Sequence, residues 1–270
     1  MNKAIKYRLY PTKNQEILFS KTFGCCRKVY NLMLADKIKS YEKTKSFGKQ
    51  TPAMYKAEYP FLKEVDSLAL ANVQLHLQGA LRNCFDKKRK SRNGFPKFKS
   101  AKHSRKSYTT NNQKGTVAIL EDKYIKLPKI GKVKAVIHRK PALDWNIKSV
   151  TISKDRDGKF YASILFEYKR DITMVSIGEN VIGLDYTSDG LYMDSNGYCP
   201  DKHKYYRQNQ KKLSHAQRKL KHKTIGSNNY RKQQCRIAKI QKHTANQSRL
   251  PAQREYKDSQ FVSGCVRGNS

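Results

Sequence analysis

The chain has 270 residues, with 57 Lys+Arg against 21 Asp+Glu and a net charge of +36 at pH 7. Self-repulsion of that size opposes folding, so the excess points outward, to a polyanion whose counterions are released on binding. No run of about 18 apolar residues exists to span a bilayer. The opening MNKAIKYRLYP lacks the apolar stretch of a signal peptide, so the expected setting is cytoplasmic, with nucleic acid and no membrane as partner.

In chain order, Lys3–Tyr10 alternates, with Ile5, Tyr7 and Leu9 on one face and Lys6, Arg8 and Tyr10 on the other. That is a strand, ended by Pro11, in which alternation buries Tyr7 and leaves Arg8 for phosphate. Thr12 can cap a helix beginning near Lys13, whose apolar stripe runs from Ile17 and Leu18 to Leu34. Residues 40–60 are polar and looser. Ser67–Cys84 carries a second apolar stripe and reads as a helix.

Lys87–Lys106 is the densest basic segment, broken by Gly94 and Pro96. Strands are then expected at Thr116–Leu120, Tyr124–Leu127 and Lys132–His138, followed by a hairpin over Val150–Tyr168 turning at Asp155–Gly158. Short strands spaced by turns, with helices placed among them, predict an α+β fold: a small β-barrel interrupted by a helical insertion. A boundary falls near Lys169–Asn180. Two basic helices follow, Tyr205–Lys223 and Ser227–His243, split at Ile225-Gly226, with Ser227 as the cap of the second. Residues 248–270 lose the helical period, and their charge falls to four Lys+Arg against two Asp+Glu.

Val181–Gly197, VIGLDYTSDGLYMDSNG, reads as an apolar strand delivering Asp185 to the rim of a sheet, then doubling back through Gly190 to a turn at Asn196-Gly197. A lone Asp after a strand is most often a turn residue or a cap. As a metal ligand it would need further carboxylates, because hydrolysis at a metal pair takes several. The six cysteines form no C-x-x-C pair, which predicts reduced, partly buried thiols and no zinc site.

The two basic helices meet no acidic residue between Asp201 and Asn246. A merely soluble face would intersperse both signs, so Lys211, Lys212, Arg218, Lys219, Arg231, Lys232 and Arg236 are candidate phosphate contacts. In Phe95-Pro96-Lys97-Phe98-Lys99 rings alternate with cations. The rings can stack on unpaired bases while Lys97 and Lys99 meet phosphate, or they can plug the helical insertion onto the barrel.

The blocks KYRLYPTKNQ, TFGCCRKVYN, FPKFKSAKHSRKSYTT, IKLPKIGKVK and VTISKDRDGKFYASILFE resemble, in order and spacing, the TnpB (OrfB) proteins of insertion sequences. VIGLDYTSDGLYMDSNG resembles their first RuvC motif, and LSHAQRKLKHKTIGSNNYRKQQCRIAKIQKHTANQ the basic helices after it. The resemblance covers residues 1–247. It implies an RNA-guided DNA endonuclease related to type V CRISPR effectors, with a noncoding guide RNA and target DNA as partners. It implies a β-barrel wedge domain over 1–175, with a helical recognition insertion at about 12–100. An RNase H-like (RuvC) nuclease domain would begin at 176, with its basic helices ending at 247. By the same resemblance Asp185 is the first catalytic carboxylate and a Mg²⁺ ligand.

The family goes on to a strand bearing a catalytic Glu, a four-Cys zinc ribbon and a final Asp, none of which is legible after Gln247. The expectation is therefore an incomplete RuvC domain, truncated after its first motif and unable to cut, with an aberrant, disordered tail over 248–270. From Arg249 onward, codons read one base out of frame can spell a TnpB-like continuation, which points to a frameshift near Gln247. The alternatives are a nuclease-dead RNA-guided repressor and a plain RNA-binding protein.

Overall fold

Alternation in the first ten residues becomes strand β1 (Asn2–Tyr10), with Ile5, Tyr7 and Leu9 buried and Lys6 and Tyr10 exposed. The computed structural model describes residues 1–85, 94–102, 104–169, 183–185, 192–199 and 205–265, with side chains as far as 247. Two compact units divide the chain, Met1–Asp171 and Ile172–Ser270.

In the first unit β1 lies inside a seven-stranded antiparallel sheet with β2 (Lys106–Asn111), β3 (Ala118–Leu120), β4 (Tyr124–Leu127), β5 (Gly131–Val136), β6 (Asn146–Lys154) and β7 (Phe160–Glu167), in the order β2-β6-β7-β1-β5-β4-β3. Eight successive pairs from Asn2↔Glu167 to Leu9↔Phe160 join β1 to β7. Arg8↔Val136 and Tyr10↔Lys134 join it to β5. The expected barrel is a curled half-barrel instead: β2 and β3 remain its edges.

Strand β2 was not expected from sequence. Its six residues, KSYTTN, follow a run of cations that hides the alternation of inward Tyr108 and Thr110. Only pairing with β6, from Lys106↔Lys154 to Asn111↔Ser149, makes a strand of them.

Between β1 and β2 in the chain come helices α1 (Lys13–Thr44) and α2 (Ser67–Phe85), with 3-10 turns at Pro52–Lys56 and Pro60–Lys63. Thr12 starts α1 with a full capping box, accepting from the Gln15 N–H while the Gln15 side chain accepts from the Thr12 N–H. Asp66 caps α2 through the Leu68 N–H. Both helices lay their apolar stripes on the inner face of the sheet. Phe19 stacks on Phe160 at 5.4 Å and Phe23 meets Tyr108 at 5.8 Å. Helices and sheet thus share one core, in which Tyr7, Phe19, Met33, Leu70, Leu77 and Phe166 are essentially inaccessible. Burying each such side chain contributes about 1.5–3 kcal/mol.

The second unit contains a short hairpin, β8 (Leu184–Asp185) with β9 (Met193–Asp194), and helices α3 (Tyr205–Lys221) and α4 (Asn228–Cys265). Val181, Ile182, Gly190 and Leu191, on which the strand reading rested, lie outside the described residues, as do 87–93 of the basic segment. Gly226 takes φ +88°, which turns the chain between the helices. Ser227 then caps α4 by accepting from the Tyr230 N–H at 3.1 Å. The backbone of α4 runs on to Cys265, well past His243 where the sequence pattern ends the helix. Residues 252–257, AQREYK, lack a clean apolar stripe but are mostly good helix formers, which favours helix there against the cost of Pro251 just before them.

Candidate nucleic-acid interface

Helices α3 and α4 pack through a seam written at spacings of three and four. Tyr205, Asn209, Leu213, Ala216 and Leu220 on one side meet Tyr230, Gln233, Ile237, Ile240, Thr244 and Gln247 on the other, all buried or half-buried. Two polar contacts lock it: Gln233 Nε2 donates to the Ala216 carbonyl at 2.8 Å, and Asn209 Nδ2 to Gln247 Oε1 at 3.1 Å.

With that stripe turned inward, Lys211, Lys212, Arg218, Lys219, Arg231, Lys232 and Arg236 are all exposed. At 100° per residue Lys232, Arg236 and Lys239 fall on one line along α4, and Lys211 and Arg218 on another along α3. Among these residues no carboxylate intervenes, so each line repels itself in isolation and is relieved by phosphate.

On the first unit Arg8 is half-exposed on the sheet's outer face. Its guanidinium lies 5.1 Å from the Tyr10 ring and 5.2 Å from the Tyr161 ring, and Nη1 donates to the Phe160 carbonyl at 3.3 Å. Tyr7, on the inner face, donates to the Arg139 carbonyl at 2.7 Å. The two side chains therefore part as the alternation requires.

The aromatic-cationic segment is pinned to α1. Asn31 Nδ2 donates to the Lys99 carbonyl at 2.9 Å and the Lys99 N–H donates back to Asn31 Oδ1 at 2.8 Å. Lys97 is exposed. Lys99 Nζ lies 3.8 Å from the Tyr30 ring centroid, and desolvation lowers its pKa. Phe95 and Phe98 are 41% and 58% exposed, so neither ring is a plug; Phe95 meets Phe85 edge-on at 6.5 Å.

Beside Lys99 opens a cleft of about 230 Å³ between α1, α2 and β2, lined among others by Arg27, His76, Arg105 and Lys106. Desolvation, and then the Lys99 charge, lower the pKa of His76. Sequence reading did not assemble this cleft, because its walls are distant in the chain. The adjacent cations Arg105-Lys106 were the one signal present.

Asp185 is exposed at the end of β8, opposite Met193. The neighbouring Asp194 pairs with Leu184 and so faces the other side of the hairpin. Its carboxylate is engaged in the turn, accepting from the Asn196 and Tyr198 N–H groups, both at 2.9 Å. Among the described residues no group of three or more His, Cys, Asp or Glu side chains could hold a metal ion. Mg²⁺ asks for near-octahedral oxygen ligation and a metal pair for several shared carboxylates. The described residues do not by themselves fit it. The described thiols are unbridged, and burial raises Cys25 and pushes Cys26 up to about 12.

Residues 1–46 match the helix-turn-helix domain of OrfB proteins of the IS605 type. Here that stretch is β1 and one 32-residue helix. A Streptomyces pristinaespiralis protein described as a candidate RNA-guided DNA endonuclease is 31% identical over 193 residues, 68% of this chain and 46% of that protein. The chain thus spans about half the length of this relative. Virulence protein VsdF of Salmonella dublin is 34% identical over 113 residues, 37% of this chain and 93% of its own. Among solved structures, Cas12f1 in its complex with sgRNA and target DNA aligns over 98% of this chain and 71% of its own. The TM-score is 0.33 and the identity 11%, a likeness too loose to carry an argument. With the order of its sequence blocks and the first strand and helix that carry the OrfB match, the chain belongs to the TnpB (OrfB) family of insertion-sequence proteins.

Proposed function

We propose that the chain binds a noncoding guide RNA and, through it, target DNA, in the cytoplasm of a cell carrying the element. The observation that carries this reading is the acid-free array of exposed cations on α3 and α4, from Lys211 to Lys239. Sequence would be read by base pairing, while the protein meets backbone and helix shape. Arg8, Lys97 and Lys99 would add phosphate contacts from the first unit. The cleft's lining carries Arg27, Lys99, Arg105 and Lys106 and would add positive charge on the first unit.

In domain terms, residues 1–175 serve as the wedge domain with its helical recognition insertion. Residues 176–247 serve as the beginning of the RuvC domain, and 248–270 lie outside the functional unit. Asp185 is the candidate first Mg²⁺ ligand. Among the described residues Asp185 is the candidate ligand, and binding rather than cleavage is the activity proposed.

The test is binding and cleavage by the purified chain, with RNA transcribed from the element's end and a matching target. Affinity for structured RNA is expected to fall about a thousandfold between roughly 50 and 200 mM salt, the scale for about six phosphate contacts. No Mg²⁺-dependent cleavage is expected, and Asp185→Ala is expected to change nothing. A flat salt response overturns the nucleic-acid reading. Guide-dependent cleavage abolished by Asp185→Ala overturns the non-cutting reading alone.

A further inference from the structure

The outer face of the sheet carries a ladder of rings and cations built around Arg8. Tyr10, Arg8, Tyr161 and Lys6 alternate ring, cation, ring, cation. Arg8 lies between the two Tyr rings at 5.1 and 5.2 Å, and Lys6 Nζ stands 4.2 Å from the Tyr161 ring. The register fixes the row, since Arg8 sits directly opposite Tyr161 on β7 and Tyr10 directly opposite Lys134 on β5. Lys134 in turn faces Tyr124 on β4, and Lys126 faces Lys132. Five cations and three tyrosines therefore share one face, whose reverse is packed into the core.

Among the described residues Asp155 stands 3.9 Å from Lys6 and Glu121 4.0 Å from Lys132, while Glu167 shares the face at its far end, opposite Asn2 and 3.2 Å from Lys148. The long pair between exposed Lys132 and Glu121 binds weakly and leaves Lys132 available, while the partner of Lys6 is a half-buried Asp155. Tyr10 is 51% exposed, as a core ring would not be, and Val136 beside it is 49% exposed.

We propose that this face is a stacking platform for unpaired nucleotides, with the exposed Tyr10 receiving a base plane, Arg8 bracing that ring from its place between Tyr10 and Tyr161, and Lys6, Lys132 and Lys134 meeting the phosphates. The inference rests on the nucleic-acid reading above and adds the chemical class and the residues. A duplex offers this face only its phosphates, because its base planes are already stacked on one another. A single strand or an RNA loop offers π-faces, and rings with interleaved cations match those. Arg8 fits the bracing role better than a lysine would, since a planar guanidinium stacks on an aromatic ring.

The experiment uses the full chain and three labelled probes: an oligouridylate RNA, an oligothymidylate DNA and a mixed-sequence duplex. A 2-aminopurine in each single strand reports stacking by quenching. Tyr10→Ala is expected to weaken single-strand binding by about fivefold or more and to abolish the quenching. It should leave duplex affinity and the salt slope unchanged, because it removes no charge. Tyr10→Trp is expected to restore both, and Arg8→Lys to lower single-strand affinity at an unchanged salt slope. The tighter of the two single strands identifies which nucleic acid supplies the bases. Equal loss on duplex and single strands, or no loss with either variant, overturns the platform while leaving the nucleic-acid reading in place. Wild-type chain that binds none of the three probes overturns that reading itself.

Discussion

Gln233 donates from Nε2 to the backbone carbonyl of Ala216 at 2.8 Å, with both residues buried in the seam between α3 and α4. A polar group at a seam position sets register, because any slip leaves it buried and unpaired. Gln233→Ala is expected to cost the hairpin about 1–3 kcal/mol, because it removes both packing and a hydrogen bond. Gln233→Leu, which keeps the volume, should cost less and loosen register. Hydrogen exchange at the α3 amides is the measurement, since a chain of two units need not melt in one transition. Unchanged α3 protection in Gln233→Ala would refute the role.

Asp66 joins two elements of the first unit, capping α2 at the Leu68 N–H and accepting the buried Thr110 hydroxyl of β2. Asp66→Ala loses a cap, about 0.5–2 kcal/mol, and strands a buried hydroxyl at about 1–3 kcal/mol more. Asp66→Asn keeps one acceptor oxygen for the Leu68 N–H, and its NH2 can donate to the Thr110 hydroxyl oxygen, so it should lose less. Urea titration of the two variants separates them, and equal midpoints would count against the link.

The line Lys232, Arg236 and Lys239 is testable through ionic strength. Replacing all three with Gln removes charge from an exposed face, so folding should hold. The slope of log affinity against log salt on duplex should become shallower by about 0.9 for each phosphate that is no longer neutralised. An unchanged slope would show that the line faces something other than phosphate.

Alkaline pH probes the core. Burial first, and then the neighbouring Cys25 charge, push the Cys26 thiol from 9.0 to about 12, and burial raises Cys25 and Tyr108 as well. Because these folded-state values lie above the unfolded ones, their contribution is fully present below about pH 8.5 and is lost as pH rises toward 12. Each group adds a slope of up to about 1.4 kcal/mol per pH unit. Denaturant midpoints should fall above pH 9 in the wild type and less steeply in Cys26→Ala. A midpoint rising with pH would contradict the buried thiol.

What the amino-acid order determined by itself is everything carried by local period and local chemistry. The Thr12 and Ser227 caps, the alternation of β1, α2 over its whole length, strand β4 and the exposure of the α3 and α4 cations all follow from spacing within a few residues. Only the tertiary structure decided the rest. β2 exists because β6 supplies its hydrogen-bond partners, and the sheet stays open because β2 and β3 do not meet. The Tyr10–Arg8–Tyr161–Lys6 ladder exists because residues about 150 apart lie opposite each other. Cross-strand pairing and cleft walls join distant segments, and no period within either segment records them.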